Sequence, residues 1–312
     1  MGKPIIYIDG QEGTTGLQIY ERLGRREDIE LLHIDPDKRK DLSERKRLLN
    51  AADLVFLCLP DEAAVEAVGL IENDHTRVID ASTAHRTAPG WVYGFPELYK
   101  KPGETIGTAR FVANPGCHAT GFLACAAPLV SLNILPKDYP LTVFSLTGYS
   151  GGGKKMIAEY ESEDKGKELY SPRLYGTGLK HKHLPEMQKI AGLDRPPVFC
   201  PVVDDYYKGM ATTVMLHNRY LLGQPTAWEL SLMLGAWYAG QPLVAVSYGE
   251  QAPMLAANTL AGTDRLEITV CGHEDQSIIT ARFDNLGKGA SGAAVQNMNL
   301  MLGFGMTEGL AL

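Results

Sequence analysis

The chain is predicted to be an α/β protein of two domains: a parallel sheet covered by helices, followed by an α+β domain. Three observations carry this reading. At 312 residues the chain is long for one core and short for three, so two domains are expected. Over its first third, short β-rich runs alternate with helical stretches, the pattern of a parallel sheet with crossover helices. From about Leu141 onward the texture becomes strand-rich and partly alternating, as in a mostly antiparallel sheet with one covered face.

The first-domain strands are placed at residues 5–9, 29–34, 54–59 and 78–80, with a helical segment over 17–23. Those of the second domain are placed at 141–146, 198–203, 212–216, 266–270 and 277–283. No internal repeat or low-complexity segment interrupts them. Hydrophobic residues make up 45% and charged residues 21%, as in ordinary globular enzymes.

A formal charge of −7 argues against nucleic acid or an anionic membrane as partner, because both select excess Lys and Arg. No run of 18 apolar residues appears, and Met1 to Ile8 carries no charged n-region or long apolar h-region. The five cysteines, Cys58, Cys117, Cys125, Cys200 and Cys271, are odd in number and contain no C-x-x-C pair. That argues against a disulfide framework or a zinc cluster, and the expectation is a cytoplasmic enzyme of small-molecule substrates without a metal.

Gly10-Gln11-Glu12-Gly13-Thr14-Thr15-Gly16 stands between the first strand and its helix. A glycine turn there lets backbone approach a pyrophosphate on a helix N-terminus, which makes the first domain Rossmann-type. The spacing G-x-x-G-x-x-G departs from the usual G-x-G-x-x-G at the first glycine; its place in a βαβ unit supplies the context the motif needs. Asp35, at the end of the second strand, is where an acid would bind a ribose 2′-hydroxyl, which taken alone indicates NAD. Arg39 and Lys40 follow at once and suit a 2′-phosphate, so NADP is the expected cofactor.

Ala113-Asn114-Pro115-Gly116-Cys117-His118 sets one cysteine before an apolar helix expected over residues 119–132. A helix N-terminus directs N–H groups and partial positive charge at the sulfur, which favours the thiolate. The plain alternative is a core cysteine beside a turn.

Lys180-His181-Lys182-His183-Leu184-Pro185-Glu186 offers acid/base groups. A His-x-His with one Glu is a poor zinc pattern, whereas Pro185 suits a first helical turn that brings Glu186 beside His183 to fix its tautomer. Gly148-Tyr149-Ser150-Gly151-Gly152 contains a literal G-x-S-x-G. A serine hydrolase would use Ser150 with Asp204 or Asp205 and His217 or His273. The triple glycine followed by Lys154 and Lys155 favours instead an anion nest with Ser150 and Gly151. After the fourth strand, Ser82 and Arg86 offer a hydroxyl and a guanidinium to an anion. Near the C-terminus, Asn285 would hold a nicotinamide carboxamide, and Lys288 precedes a small-residue helix ending around Gly303. A dinucleotide-binding redox sensor would share the glycine turn but need no reactive cysteine.

Jointly, Gly10-x-x-Gly13-x-x-Gly16, Asp80 to Arg86, Asn114 to Cys117, His181 to Glu186 and Lys288 to Asn297 resemble the short form of the N-acetyl-gamma-glutamyl-phosphate reductase family of arginine biosynthesis. The resemblance covers essentially the whole chain. It implies a glyceraldehyde-phosphate dehydrogenase-like architecture, with an NADP-binding domain of residues 1–116 and 289–312 and a catalytic and oligomerisation domain of 117–288. It implies a dimer or tetramer, and NADPH-dependent reduction of an acyl phosphate through a Cys117 thioester, with His183 or His181 as acid/base. Cofactor contacts would come from Gly10, Gly13, Thr14, Thr15, Gly16, Arg39, Lys40, Ser82, Asn285 and Lys288. Substrate contacts would come from Arg86, Asn114, Ser150, Gly151 and Glu186. Two departures stand out: Lys182 replaces the usual Arg between the histidines, and His118 stands where long forms carry Tyr. A related semialdehyde dehydrogenase acting on another acyl phosphate is the alternative.

Overall fold

The computed structural model describes residues 2–249 and 254–312 and divides the chain into two units: everything up to Pro115 with Ala290–Leu310, and Gly116–Gly289 with Ala311–Leu312. In the first unit the order is β1 (Ile5–Asp9), α1 (Thr14–Leu23), β2 (Glu30–Leu32), α2 (Leu42–Ala51), β3 (Leu54–Leu57), α3 (Asp61–Gly69), β4 (Arg77–Asp80), β5 (Val92–Tyr93), α4 (Pro102–Thr105) and β6 (Phe111–Ala113). The sheet order is β2-β1-β3-β4-β6-β5, parallel throughout. Strands covered on both faces read as unbroken apolar runs, which explains the fully buried Leu-Val-Phe-Leu of β3. The chain leaves β1 for β2 on one side and returns to β3 on the other, so the switch point, where such sheets bind ligands, lies beyond the C-terminal ends of β1 and β3.

The second unit contains α5 (Cys117–Ser131), β7 (Thr142–Gly148), α6 (Gly153–Tyr160), β8 (Arg173–Leu174), α7 (Leu184–Ala191), β9 (Val198–Asp204), β10 (Met210–His217), α8 (Ala227–Trp237), β11 (Val244–Tyr248), β12 (Leu266–Gly272) and β13 (Gln276–Phe283). A last helix, α9 (Gly292–Leu302), belongs to the first unit. The second sheet runs β11-β12-β13-β10-β7-β9-β8. It is mixed: β7 pairs β9 and β11 pairs β12 in parallel, and the other four pairings are antiparallel.

Helix α5 is apolar all round and buried from His118 to Val130, as a helix in the middle of a domain must be. Pro128 sits inside it and cannot donate to Ala124 O; the Tyr238 hydroxyl donates to that carbonyl instead, at 2.8 Å. Helix α8 opens on a capping box in which Thr226 and Glu229 satisfy each other's backbone N–H groups.

The sequence placed β2 over 29–34, twice its observed length, and carried β3 two residues too far. Asp35 and Pro36 start a 3₁₀ turn, and β3 ends at Leu57, with Cys58 N–H making the last bond to β1 at Asp9 O. Helix α1 begins at Thr14 and α5 at Cys117, each earlier than expected, because helix starts at glycine carry no apolar signal. Strands β5, β6, β8 and β11 were missed in the sequence. Among the described residues no helix is long and apolar enough to cross a membrane.

Candidate active site

The glycine turn after β1 closes on itself through Gly13 N–H to Gly10 O at 3.1 Å. Gly10 has φ +86°, and a Cβ there would lie 2.4 Å from Cys58 O; a Cβ on Gly16 would lie 2.5 Å from Gly10 O. Both obstacles are backbone, so only glycine fits. Helix α1 starts from Gly13 with no side-chain cap and no acid in its first turn. The Thr14 hydroxyl there is buried without a hydrogen-bond partner. Beside the turn lies a cavity of about 420 Å³, lined among others by Gly10, Gln11, Glu12, Arg39, Lys40 and Arg45.

Arg39 reaches Glu12 at 3.2 Å across this cavity. Its floor is fixed by a buried ion pair, Arg45 to Asp9 at 2.9 Å. Asp35, read in the sequence as a ribose ligand, spends a carboxylate oxygen on the Asp37 N–H and caps the 3₁₀ turn that presents Arg39 and Lys40. Turn, orphaned hydroxyl and paired cations fit a phosphorylated dinucleotide.

The loop after β4 is knitted internally. Asp80, fully buried, accepts from Ser82 N–H and Oγ and from His85 at 2.6 Å, and the His85 ring stacks on Trp91. Ser82 is thus bound within its own loop. Arg86, 9% exposed, donates to Asn114 O and Ala81 O, fixing the segment that leads to Gly116. The Asn114 amide donates to Ala290 O and accepts from Asn297.

In the second unit, Cys117 is the first residue of α5, after an extended Gly116. Gly289 packs so closely that a Cβ there would stand 3.0 Å from Cys117 Cβ. The Gly116 N–H donates to Glu186 Oε2 at 3.2 Å, and Glu186 Oε1 lies 3.9 Å from His183 Nε2, within ion-pair reach but beyond a hydrogen bond. His183 N–H donates to His181 Nδ1 at 3.2 Å, so the neutral His181 ring carries its proton on Nε2. The two rings meet edge to face at 4.7 Å. Helix α7 explains this local order: Pro185 occupies its first turn and Glu186 its third position, one turn from His183 at the N-cap. Burial raises the thiols of Cys125 and Cys271, and raises that of Cys58 to about 12, which suits inert structural cysteines.

The serine-hydrolase alternative does not survive the register. Ser150 is 1% exposed in a 3₁₀ turn beyond β7, and its Oγ accepts from Asn285 Nδ2 at 3.0 Å. That end of β7 pairs with Met210, whereas His217 closes the far end of β10, about 23 Å along the strand; His273 lies at that same far end. Asp205 is paired with Lys165. Asn285 also accepts the Gly209 N–H, so both ends of its amide are engaged inside this unit. Gly151 lies exposed in the same turn, and Lys288 is 1% exposed.

Sequence reasoning missed the use of His118 and Tyr175. His118 Nε2 lies 2.6 Å from the Tyr175 hydroxyl and Nδ1 2.7 Å from Ser145 Oγ. The available signal was a histidine inside a helix that is otherwise apolar.

The sequence matches two family descriptions: semialdehyde dehydrogenase, NAD binding domain, over residues 6–106, and semialdehyde dehydrogenase, dimerisation domain, over residues 117–285. It is 46% identical to N-acetyl-gamma-glutamyl-phosphate reductase 2 of Nostoc sp., covering 99% of this chain and 100% of the relative. It is 48% identical to N-acetyl-gamma-glutamyl-phosphate reductase of Brucella ovis, over 96% and 99%. Aspartate semialdehyde dehydrogenase II of Vibrio cholerae shares the fold at 16% identity and TM-score 0.73, over 97% of this chain and 99% of that one. The Candida albicans aspartate semialdehyde dehydrogenase, solved with NADP, does so at 14% and 0.68, over 96% and 98%. An NAD-binding domain followed by a dimerisation domain, matched at nearly half identity from end to end, places this chain in the N-acetyl-gamma-glutamyl-phosphate reductase family.

Proposed function

We propose that the chain reduces N-acetyl-L-glutamyl 5-phosphate to N-acetyl-L-glutamate 5-semialdehyde and phosphate, with NADPH, in arginine biosynthesis. The observation that carries the chemistry is Cys117 as first residue of α5, with His181, His183 and Glu186 gathered in the same unit. Arg39 and Lys40 would hold the 2′-phosphate, and the Gly10–Gly16 turn with Thr14 and Thr15 the pyrophosphate. Once bound, the dinucleotide supplies the hydride that reduces a thioester carbon.

Cys117 thiolate attacks the acyl phosphate carbonyl; the C–S bond forms, the C–O bond breaks and phosphate leaves. After reduction the tetrahedral oxygen needs a proton donor, a role assigned to His183, whose Nε2 lies 3.9 Å from the Glu186 carboxylate. Return of that proton to His183 as the C–S bond breaks releases the semialdehyde and restores the thiolate. His181, with Nδ1 occupied by the His183 N–H, presents Nε2–H as a neutral donor to the substrate. Arg86 and Asn114 act through the backbone they fix before Cys117; Ser150 and Gly151 offer the turn for a substrate anion.

A homo-oligomer, dimer or tetramer, is supported by the dimerisation-domain match and by an exposed apolar stripe of Val198, Phe144, Met215 and Ile278 on one face of the second sheet. A reducing cytoplasm suits a thiolate nucleophile. The deciding assay is phosphate-dependent NADP reduction with N-acetylglutamate semialdehyde against aspartate semialdehyde. Turnover is expected with the first; preference for the second overturns the substrate. His183→Asn should cut kcat about 10²–10⁴-fold and remove one limb of the pH profile, with His181→Asn acting on KM; the reverse pattern exchanges their roles.

A further inference from the structure

His118 follows Cys117 directly, yet it is not one of the acid/base groups of the proposed reaction. Adjacent residues of a helix point about 100° apart, so while Cys117 opens the helix, His118 turns into the second sheet. It is 2% exposed there, with Nδ1 2.7 Å from Ser145 Oγ and Nε2 2.6 Å from the Tyr175 hydroxyl. Ser145 Oγ lies 2.7 Å in turn from Thr212 Oγ1, and both residues are fully buried. The His118 ring also meets His181 at 5.5 Å, His183 at 5.7 Å and Phe199 at 5.2 Å between centroids.

We propose that His118 is a positioning residue of the catalytic centre, a neutral imidazole clamped between Ser145 and Tyr175 that holds the Tyr175 hydroxyl and the His181 and His183 rings in place beside Cys117. The proposal rests on the reading of Cys117 as nucleophile. A neutral imidazole has one donor and one acceptor, and a hydroxyl can answer either, so both nitrogens are satisfied without a carboxylate. Titratable groups face the ring from α7's lead-in, His181 and His183, and from the β8 side, Tyr175; from the sheet come Ser145, Thr212 and Phe199, which carry no charge. Burial holds the ring neutral, lowering its pKa to about 3, and any positive charge on His181 would push it the same way. A cation at this point would repel a protonated His183; a neutral ring does not. Tyr175 is close enough to Cys117 for the thiolate charge to add to burial in raising its phenol.

Four variants test this: Tyr175→Phe, His118→Asn, His118→Gln and the double Tyr175→Phe/His118→Asn. Asn retains an amide near the Nδ1 position and Gln one near Nε2, so Gln alone keeps the bond to Tyr175. Tyr175→Phe and His118→Asn should each lower kcat about tenfold with KM changed less than about twofold, and the double variant should be no worse than the poorer single one. His118→Gln should recover most of the loss. Unchanged kcat in Tyr175→Phe, multiplying losses in the double variant, or no rescue by Gln overturns the proposal. Tyr175→Phe removes one oxygen from a half-buried ring, so it decides the matter even if the Asn variant folds poorly. Cys117→Ser separates the two readings: if it retains turnover the nucleophile is wrong, and if it is dead while Tyr175→Phe is normal only the positioning role falls.

Discussion

Two helices of this chain start the same way and do different things. Both α1 and α5 follow a strand, begin after an extended glycine, lack a side-chain cap and carry no acid in their first turn. Each therefore keeps its N-terminal N–H groups and partial positive charge available to an anion. At α1 the space beyond the turn is kept clear by glycines, as a diffusible phosphate requires. At α5 the first position is filled by Cys117, so on the proposed mechanism the anion would be the protein's own thiolate. One local device would serve binding when vacated and, in the function proposed, nucleophilic catalysis when occupied.

The largest effect should come from emptying the second of these. Cys117→Ser should lower kcat by about three orders of magnitude or more, since a serine hydroxyl is not ionised by a helix terminus, while NADPH binding followed by fluorescence stays near wild type. Crowding the first should do the converse. Gly16→Ala places a Cβ against Gly10 O, so dinucleotide affinity should fall about 10- to 100-fold, or about 1.4–2.8 kcal/mol, with the rate of Cys117 alkylation by iodoacetamide unchanged. Equal loss of both would mean that the two termini are not separable. The smallest effect belongs to the rim: Arg39→Ala should weaken NADPH about tenfold in titration and leave NADH nearly unchanged, given that Arg39 is a half-exposed group already shared with Glu12. Equal weakening of both cofactors would make Arg39 structural.

The parallel sheet, the glycine turn and a cysteine at a helix start were legible because each is written in consecutive residues: apolar runs, glycine spacing, a turn before a helix. What could not be read is what side chains do once the chain has folded back. Asp35 looks like a ribose ligand by position, yet an Asx-type bond to Asp37 two residues on claims it first. Asn285 looks free to hold a carboxamide, but Gly209 and Ser150, 76 and 135 residues away, already use it. His118 was overlooked for the opposite reason, since its partners Ser145 and Tyr175 come from β7 and a loop that no local pattern ties to α5.

Keeping a histidine uncharged inside α5 also makes the protein sensitive to acid. The unfolded chain binds a proton at this ring from about pH 6.5 downward, whereas the folded chain resists until about pH 3. Because the unfolded state then holds more protons, acid shifts the equilibrium toward it throughout that window: stability is full above about pH 6.5 and drains away below, by about 2 kcal/mol at pH 5. His118→Phe, with no proton to take up, should show a flatter denaturation midpoint from pH 7 to pH 5 than the parent in parallel urea titrations. A parallel slope would mean that the ring protonates in the folded state as easily as in water. A buried, neutral histidine next to Cys117 thus sets a limit on the acidity in which its surroundings persist.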